Sequence, residues 1–116
     1  MSAPVGPYTP AVRAGDFVIV SGQLGIVDGK LVDGVAAQTT QAVANLAARL
    51  AEHGATLADV AKTLCFLTDM STFGEFNEAY VAAFGDARPA RSTIGVAALP
   101  FEGRVEIEAW AHLPQG

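Results

Sequence analysis

Cysteine is almost missing from this chain of 116 residues: Cys65 is the only one. An intrachain disulfide and a four-thiolate zinc site are therefore excluded. Histidine is scarce too, with His53 and His112 far apart, so a histidine-built metal site is not expected. Basic residues are few, Lys+Arg 7 against Asp+Glu 12, for a formal net charge of −5. Nucleic acid and anionic membranes both reward basic patches, so neither is expected as a main partner. No apolar run reaches the ~18 residues of a spanning helix. The start, Met1-Ser2-Ala3-Pro4, has neither a charged n-region nor an apolar h-region, so no signal peptide and a cytoplasmic location are expected. Nucleotide-binding glycine loops, HExxH and GxSxG are also missing.

What is present is a globular composition, 51% hydrophobic and 16% charged. That excludes disorder and fits one domain over residues 1–116, since no linker or repeat divides the chain. Residues 1–10, with Pro4, Pro7 and Pro10, read as an extended arm. Phe17 to Val20 reads as a buried strand, and Asp28-Gly29 as a hairpin turn between short strands. Thr39, Val43, Leu46 and Leu50 make one helical stripe between Val35 and His53, with Gln38, Gln41, Arg49 and Glu52 on the other face and Gly54 as the stop. Thr56 to Asp59 looks like a capped turn. Thr63 to Thr68 reads as a strand. A second helix begins near Asp69 or Ser71 and carries the stripe Phe73, Phe76, Tyr80 and Phe84. Arg91 to Ala98 reads as a strand. In the last strand, Arg104 to Leu113, Val105, Ile107 and Ala109 alternate with Arg104, Glu106 and Glu108. The sum is an α+β domain: a mixed, roughly six-stranded sheet with two helices on one face.

Few residues can carry chemistry. His53 suits a helix C-terminus, where the dipole favours it, and His112 reads as a surface residue. Cys65 in an apolar strand reads as a buried, inert thiol. Arg91, in an otherwise apolar strand, must be paired or functional if buried. It could instead reach solvent from a sheet edge or form an ion pair. Glu106 and Glu108 could be solvated, or paired with Arg104 and Arg91. Ser21 could be a plain strand end, and Tyr8 a packing anchor.

Gly6-Pro7-Tyr8, Val20-Ser21-Gly22-Gln23, Pro89-Ala90-Arg91-Ser92 and Val105-Glu106-Ile107-Glu108-Ala109, in that order, resemble the motifs of the RidA (YjgF) family of reactive-intermediate deaminases. Gln38, Asn45, Gly54 and the run from Phe73 to Tyr80 support the match, which covers almost the whole chain. The resemblance implies a chorismate-mutase-like fold and a homotrimer with clefts between subunits. It implies no cofactor, no metal, and a small 2-imino acid as substrate. The implied reaction hydrolyses 2-imino acids and their enamine tautomers, such as 2-aminoacrylate, to 2-keto acids and ammonia. Arg91 would clamp the substrate carboxylate through two parallel hydrogen bonds, which Lys cannot copy. Glu106 would position water and move protons. Tyr8 and Ser21 match pocket hydroxyls, backbone near Gly22 and Thr93 would hold the substrate, and Phe73 and Asn77 match cleft-lining positions. This chain has Thr93 where Cys is common, Arg88 where an aromatic often precedes the proline, a short Gly85 to Arg88 segment, a compact hairpin and a mid-strand Gly95. These changes surround the implied cleft and bear on substrate choice. Two other readings stand beside the deaminase: a trimeric protein that binds a keto acid or amino acid without turnover, and a ribonuclease or translation inhibitor, which the acidic balance disfavours.

Overall fold

The computed structural model describes residues 6–115; Met1 to Pro4, where no leader signature was found, and the start of the arm lie outside them. The described part of the arm leads into a strand the sequence did not suggest, β1 (Ala11–Ala14). It folds back antiparallel on β2 (Phe17–Leu24) through the turn at Gly15-Asp16. The Asp28-Gly29 turn joins β3 (Ile26–Val27) to β4 (Lys30–Leu31). Helix α1 (Val35–Ala51) follows, then the capped turn at Leu57–Asp59 and β5 (Val60–Leu67). A single turn at Met70–Thr72 leads into α2 (Phe73–Phe84), and β6 (Ala90–Gly95) and β7 (Val105–His112) complete the chain.

The sheet has five strands, in the order β1-β2-β7-β5-β6, rather than six. The β3–β4 hairpin stands apart as a sheet of its own. Gly25 separates the two sheets, where the chain passes close beneath α1: a Cβ there would lie 2.6 Å from Gln38 Cα. Asn45 secures the crossing by donating to the carbonyls of Leu24 and Ile26. β6 pairs parallel with β5, and every other pair is antiparallel, so the sheet is mixed.

The α1 stripe is buried as its period demands: Thr39, Leu46 and Leu50 are fully enclosed and Val43 nearly so. Gln38 and Arg49, assigned to the polar face, are buried as well. Gln38 donates to Val32 O and accepts from the Arg104 amide, which ties the hairpin to the lead-in of β7. In α2, Phe76, Tyr80 and Phe84 are buried, while Phe73 stays open to solvent at the first turn. Both helices cover the sheet face that carries Val18, Val20, Thr63, Cys65, Ile107 and Ala109. Among the described residues, no element covers the opposite face. Strand register places Val12, Ile19, Trp110 and Lys62 in one row across it, and Ile94, Phe66 and Glu106 in another. Val12, Phe17 and Ile94 on this face are each at least 40% exposed. Among the described residues no helix is long and apolar enough to cross a membrane.

Candidate active site

Strand register decides which of the expected site residues can meet. Arg91 lies beside Thr63, and Thr63 beside Ala109, so all three side chains share the helix-covered face. Glu106 lies three residues from Ala109 on β7, an odd step, and in the row of Phe66 and Ile94. It therefore emerges on the bare face. The expected site residues of one chain therefore fall into two groups on opposite sides of its sheet.

The first group is built around Arg91 on the edge strand β6. Its Cζ lies 4.8 Å from the Tyr80 ring centroid, 5.5 Å from Phe76 and 5.6 Å from Phe73. Among the described residues the only ion pair is Arg49–Glu52. Arg91 is paired with neither Glu106 nor Glu108, and neither glutamate is paired with Arg104. The aromatic faces of α2 attract the cation and leave its N–H donors unspent. Asn77 shares the α2 face with Phe73 and Tyr80 by its helical spacing. Its Oδ1 is buried with no hydrogen-bond partner among the described residues. Thr93 shares Arg91's face two residues on, and its buried Oγ1 has no partner beyond the weak thiol of Cys65. Buried polar atoms are normally satisfied, so the unpartnered Asn77 Oδ1 and the weakly partnered Thr93 Oγ1 stand out. Cys65 is inert here: burial pushes its thiol up to about 11.

The second group is built around Glu106 and a bulge in β2. Val20 pairs with Ala109 and Gln23 with Ile107, so Ser21 and Gly22 together oppose Glu108. The bulge swings Gly22 against Glu106. A methyl at position 22 would stand 2.5 Å from Glu106 Cδ and 2.8 Å from Cγ, so only glycine leaves the carboxylate where it is. Burial holds the Glu106 carboxyl above the usual glutamate range, and the neighbouring Glu108 charge raises it further. Burial raises Glu108 as well. Ser21 turns its hydroxyl to Pro10 O at 3.2 Å, beside the backbone bond from Ser21 N to the same oxygen. Tyr8 stands exposed in the lead-in two residues earlier, and within one chain its hydroxyl has no hydrogen bond among the described residues.

Gly22, Ser21 and Glu106 thus come together, as do Arg91, Thr93, Phe73 and Asn77, while Tyr8 joins neither set inside one chain. The alternation read in the last strand already set Glu106 apart from the buried row of Val105, Ile107 and Ala109. It could not place Arg91, whose face depends on parallel pairing with β5. Among the described residues, no group of three or more His, Cys, Asp or Glu side chains is placed to hold a metal ion. Tyr80 and Thr63, whose hydroxyls lie 2.7 Å apart beneath Arg91, were not singled out in the sequence.

Two helices on one face of a mixed sheet make this an α+β protein, and its fold matches solved RidA and YjgF structures. Comparison with known proteins agrees. Residues 1–113 match the family described as Endoribonuclease L-PSP. The 2-iminobutanoate/2-iminopropanoate deaminase of Mus musculus is 43% identical over 112 residues, covering 94% of this chain and 83% of its own. The crystal structure of RidA from an Antarctic Psychrobacter species superposes with a TM-score of 0.92 at 42% identity, over 96% of this chain and 92% of that one. A crystal structure of E. coli TdcF with bound serine superposes with a TM-score of 0.90 at 32% identity, over 94% and 90%. The chain belongs to the Endoribonuclease L-PSP family, the RidA/YjgF group whose motifs its sequence carries.

Proposed function

We propose that this protein hydrolyses small 2-imino acids, 2-iminopropanoate and 2-iminobutanoate among them, to 2-keto acids and ammonia in the cytoplasm, using sites built between copies of the chain. The observation that carries this reading is the unspent Arg91 guanidinium, framed by aromatic rings, on the sheet face opposite Glu106. An arginine that only stabilised the fold would be expected to face a carboxylate, because a half-buried charge without one is costly. Arg91 instead keeps its planar fork for a ligand carboxylate. The names of relatives such as the mouse deaminase support the chemistry.

In this mechanism Arg91 fixes the substrate carboxylate, and Thr93 and Asn77 supply the polar groups around it. Glu106, from a neighbouring chain, accepts a proton from water as its oxygen adds to the imine carbon. The proton passes to the nitrogen of the resulting carbinolamine. The C–N bond breaks, ammonia leaves, and the hydroxyl oxygen becomes the keto oxygen on losing its proton. An enamine enters the same route once its terminal carbon is protonated. No covalent nucleophile is required because the imine carbon is already electrophilic.

The bare sheet face, with Val12, Phe17 and Ile94 open on it, is the surface a second copy would cover. A closed homotrimer satisfies both half-sites three times over. The serine bound to E. coli TdcF favours a second reading, a small-molecule binder without turnover. The family description raises ribonuclease activity, which the net charge of −5 opposes. One assay separates these readings. 2-Iminobutanoate is generated in situ and its decay followed with and without the protein. Accelerated, saturable decay is expected, and binding of 2-oxobutanoate without any acceleration would select the binder.

A further inference from the structure

Tyr80 is the nearest of the three rings to the Arg91 guanidinium, at 4.8 Å. Its hydroxyl lies 2.7 Å from Thr63 Oγ1, with Thr63 fully buried and Tyr80 only 4% exposed. Thr63 is the residue directly beside Arg91 in the parallel ladder. Strand pairing, the hydroxyl pair and the cation–π contact therefore close a ring from Arg91 through Thr63 and Tyr80 back to Arg91. The Phe76 and Phe84 rings lie 5.6 Å and 4.5 Å from the Tyr80 ring.

We propose that Tyr80, locked by Thr63, is a positioning residue that sets the plane of the Arg91 guanidinium so that its fork meets the substrate carboxylate. The inference rests on the carboxylate clamp proposed above. A carboxylate partner would hold Arg91 equally firmly, but it would occupy the N–H donors and offset the charge the substrate needs. A ring face attracts the cation from above and leaves the in-plane donors open. The hydroxyl lock matters because an arginine side chain has many rotamers to lose on binding, and a fixed ring removes part of that loss beforehand. Other groups with a field at this position are the Cys65 thiol of β5, which stays protonated, the neutral Thr93 hydroxyl of β6, and the Arg88 guanidinium just before β6.

The test uses the full chain, with 2-oxobutanoate binding measured by calorimetry and imine turnover measured on the same samples. Tyr80→Leu is expected to weaken 2-oxobutanoate binding and raise KM about tenfold, while kcat changes less than about threefold. Phe84→Leu is the control: Phe84 is in the same stripe and 4% exposed, but it touches no part of Arg91, and the Thr63 bond still holds the Tyr80 ring without it. It should lower Tm at least as much while leaving binding within about twofold. Tyr80→Phe and Thr63→Val should each weaken binding about threefold, and the double variant no further, because both remove one bond. These two conservative variants carry the test if Tyr80→Leu does not fold. Wild-type affinity in Tyr80→Leu, in Tyr80→Phe or in Thr63→Val would overturn the inference, as would an equal loss in Phe84→Leu. If the wild-type protein shows no Arg91-dependent binding of 2-oxobutanoate, the clamp itself falls, and this positioning role falls with it.

Discussion

Replacing Gly22 with alanine adds one methyl group and should separate folding from catalysis. The new Cβ would sit 2.5 Å from Glu106 Cδ and 2.8 Å from Cγ, closer than carbon atoms can approach. Glu106 must swing away, because the bulged backbone of β2 is held by its bonds to β7 and by Ser21 N on Pro10 O at 2.9 Å. Overpacking of this kind costs about 1–3 kcal/mol, towards the low end where a flexible side chain yields. Removing a glycine from the unfolded chain returns about 0.4–1 kcal/mol at a position that needs no left-handed backbone. The two effects nearly cancel, so Tm should move by no more than about 5 °C. Catalysis has no such compensation. Loss of a positioned acid–base group typically costs about 10²–10⁴-fold in rate, so the imine-decay rate of Gly22→Ala should fall at least about a hundredfold. The assay is 2-iminobutanoate decay on samples whose Tm is recorded in the same buffer. A folded Gly22→Ala protein within threefold of wild-type rate would refute the role given to Glu106 and to the bulge that exposes it.

Arg91→Ala and Arg91→Lys should both fold and lose most imine turnover, with Ala at least as damaging, since Lys keeps the charge but not the fork; unchanged turnover per folded molecule would end the clamp. Glu106→Gln should abolish most activity yet raise Tm by about 4 °C at neutral pH, because it removes a half-buried charge that stabilises nothing in the chain. The wild-type rate should climb with pH along a limb displaced above the ordinary glutamate range, as Glu106 loses its proton. Stability should run the other way. A carboxyl raised in the folded state contributes fully below its unfolded value, and that contribution is lost as pH rises through the folded one. Rate–pH and Tm–pH curves on the same protein check both signs.

Local pattern was legible in the sequence and long-range pairing was not. The α1 stripe, the Asp28-Gly29 turn, the Thr56–Asp59 capping box and the alternation of β7 all follow from neighbours within a few residues, and all are present. β1 was missed because Ala11 to Ala14 has no strand pattern of its own and owes its conformation to pairing with β2. Gln38 and Arg49 look like surface residues to a helical period. Gln38 is buried because it bonds the Arg104 amide, 66 positions away. Family motifs named the expected site residues, but their arrangement was not legible. Arg91 and Glu106 are close in sequence and face apart, and only the register of β6, β5 and β7 reveals it. The Thr63–Tyr80 pair stayed hidden for the same reason, since nothing in either segment points to the other.

The central claim is that Arg91 of one chain and Glu106 of another act on one imine. Co-refolding equal amounts of Arg91→Ala and Glu106→Gln chains tests it directly, with light scattering and distinct tags used to verify mixed assemblies near three times the 11.9 kDa chain mass. In random mixtures a shared site draws an intact Arg91 half the time and an intact Glu106 half the time. Two inactive proteins should then recover about a quarter of wild-type activity. Mixed assemblies that remain as inactive as their parents would contradict the shared site and the mechanism built on it.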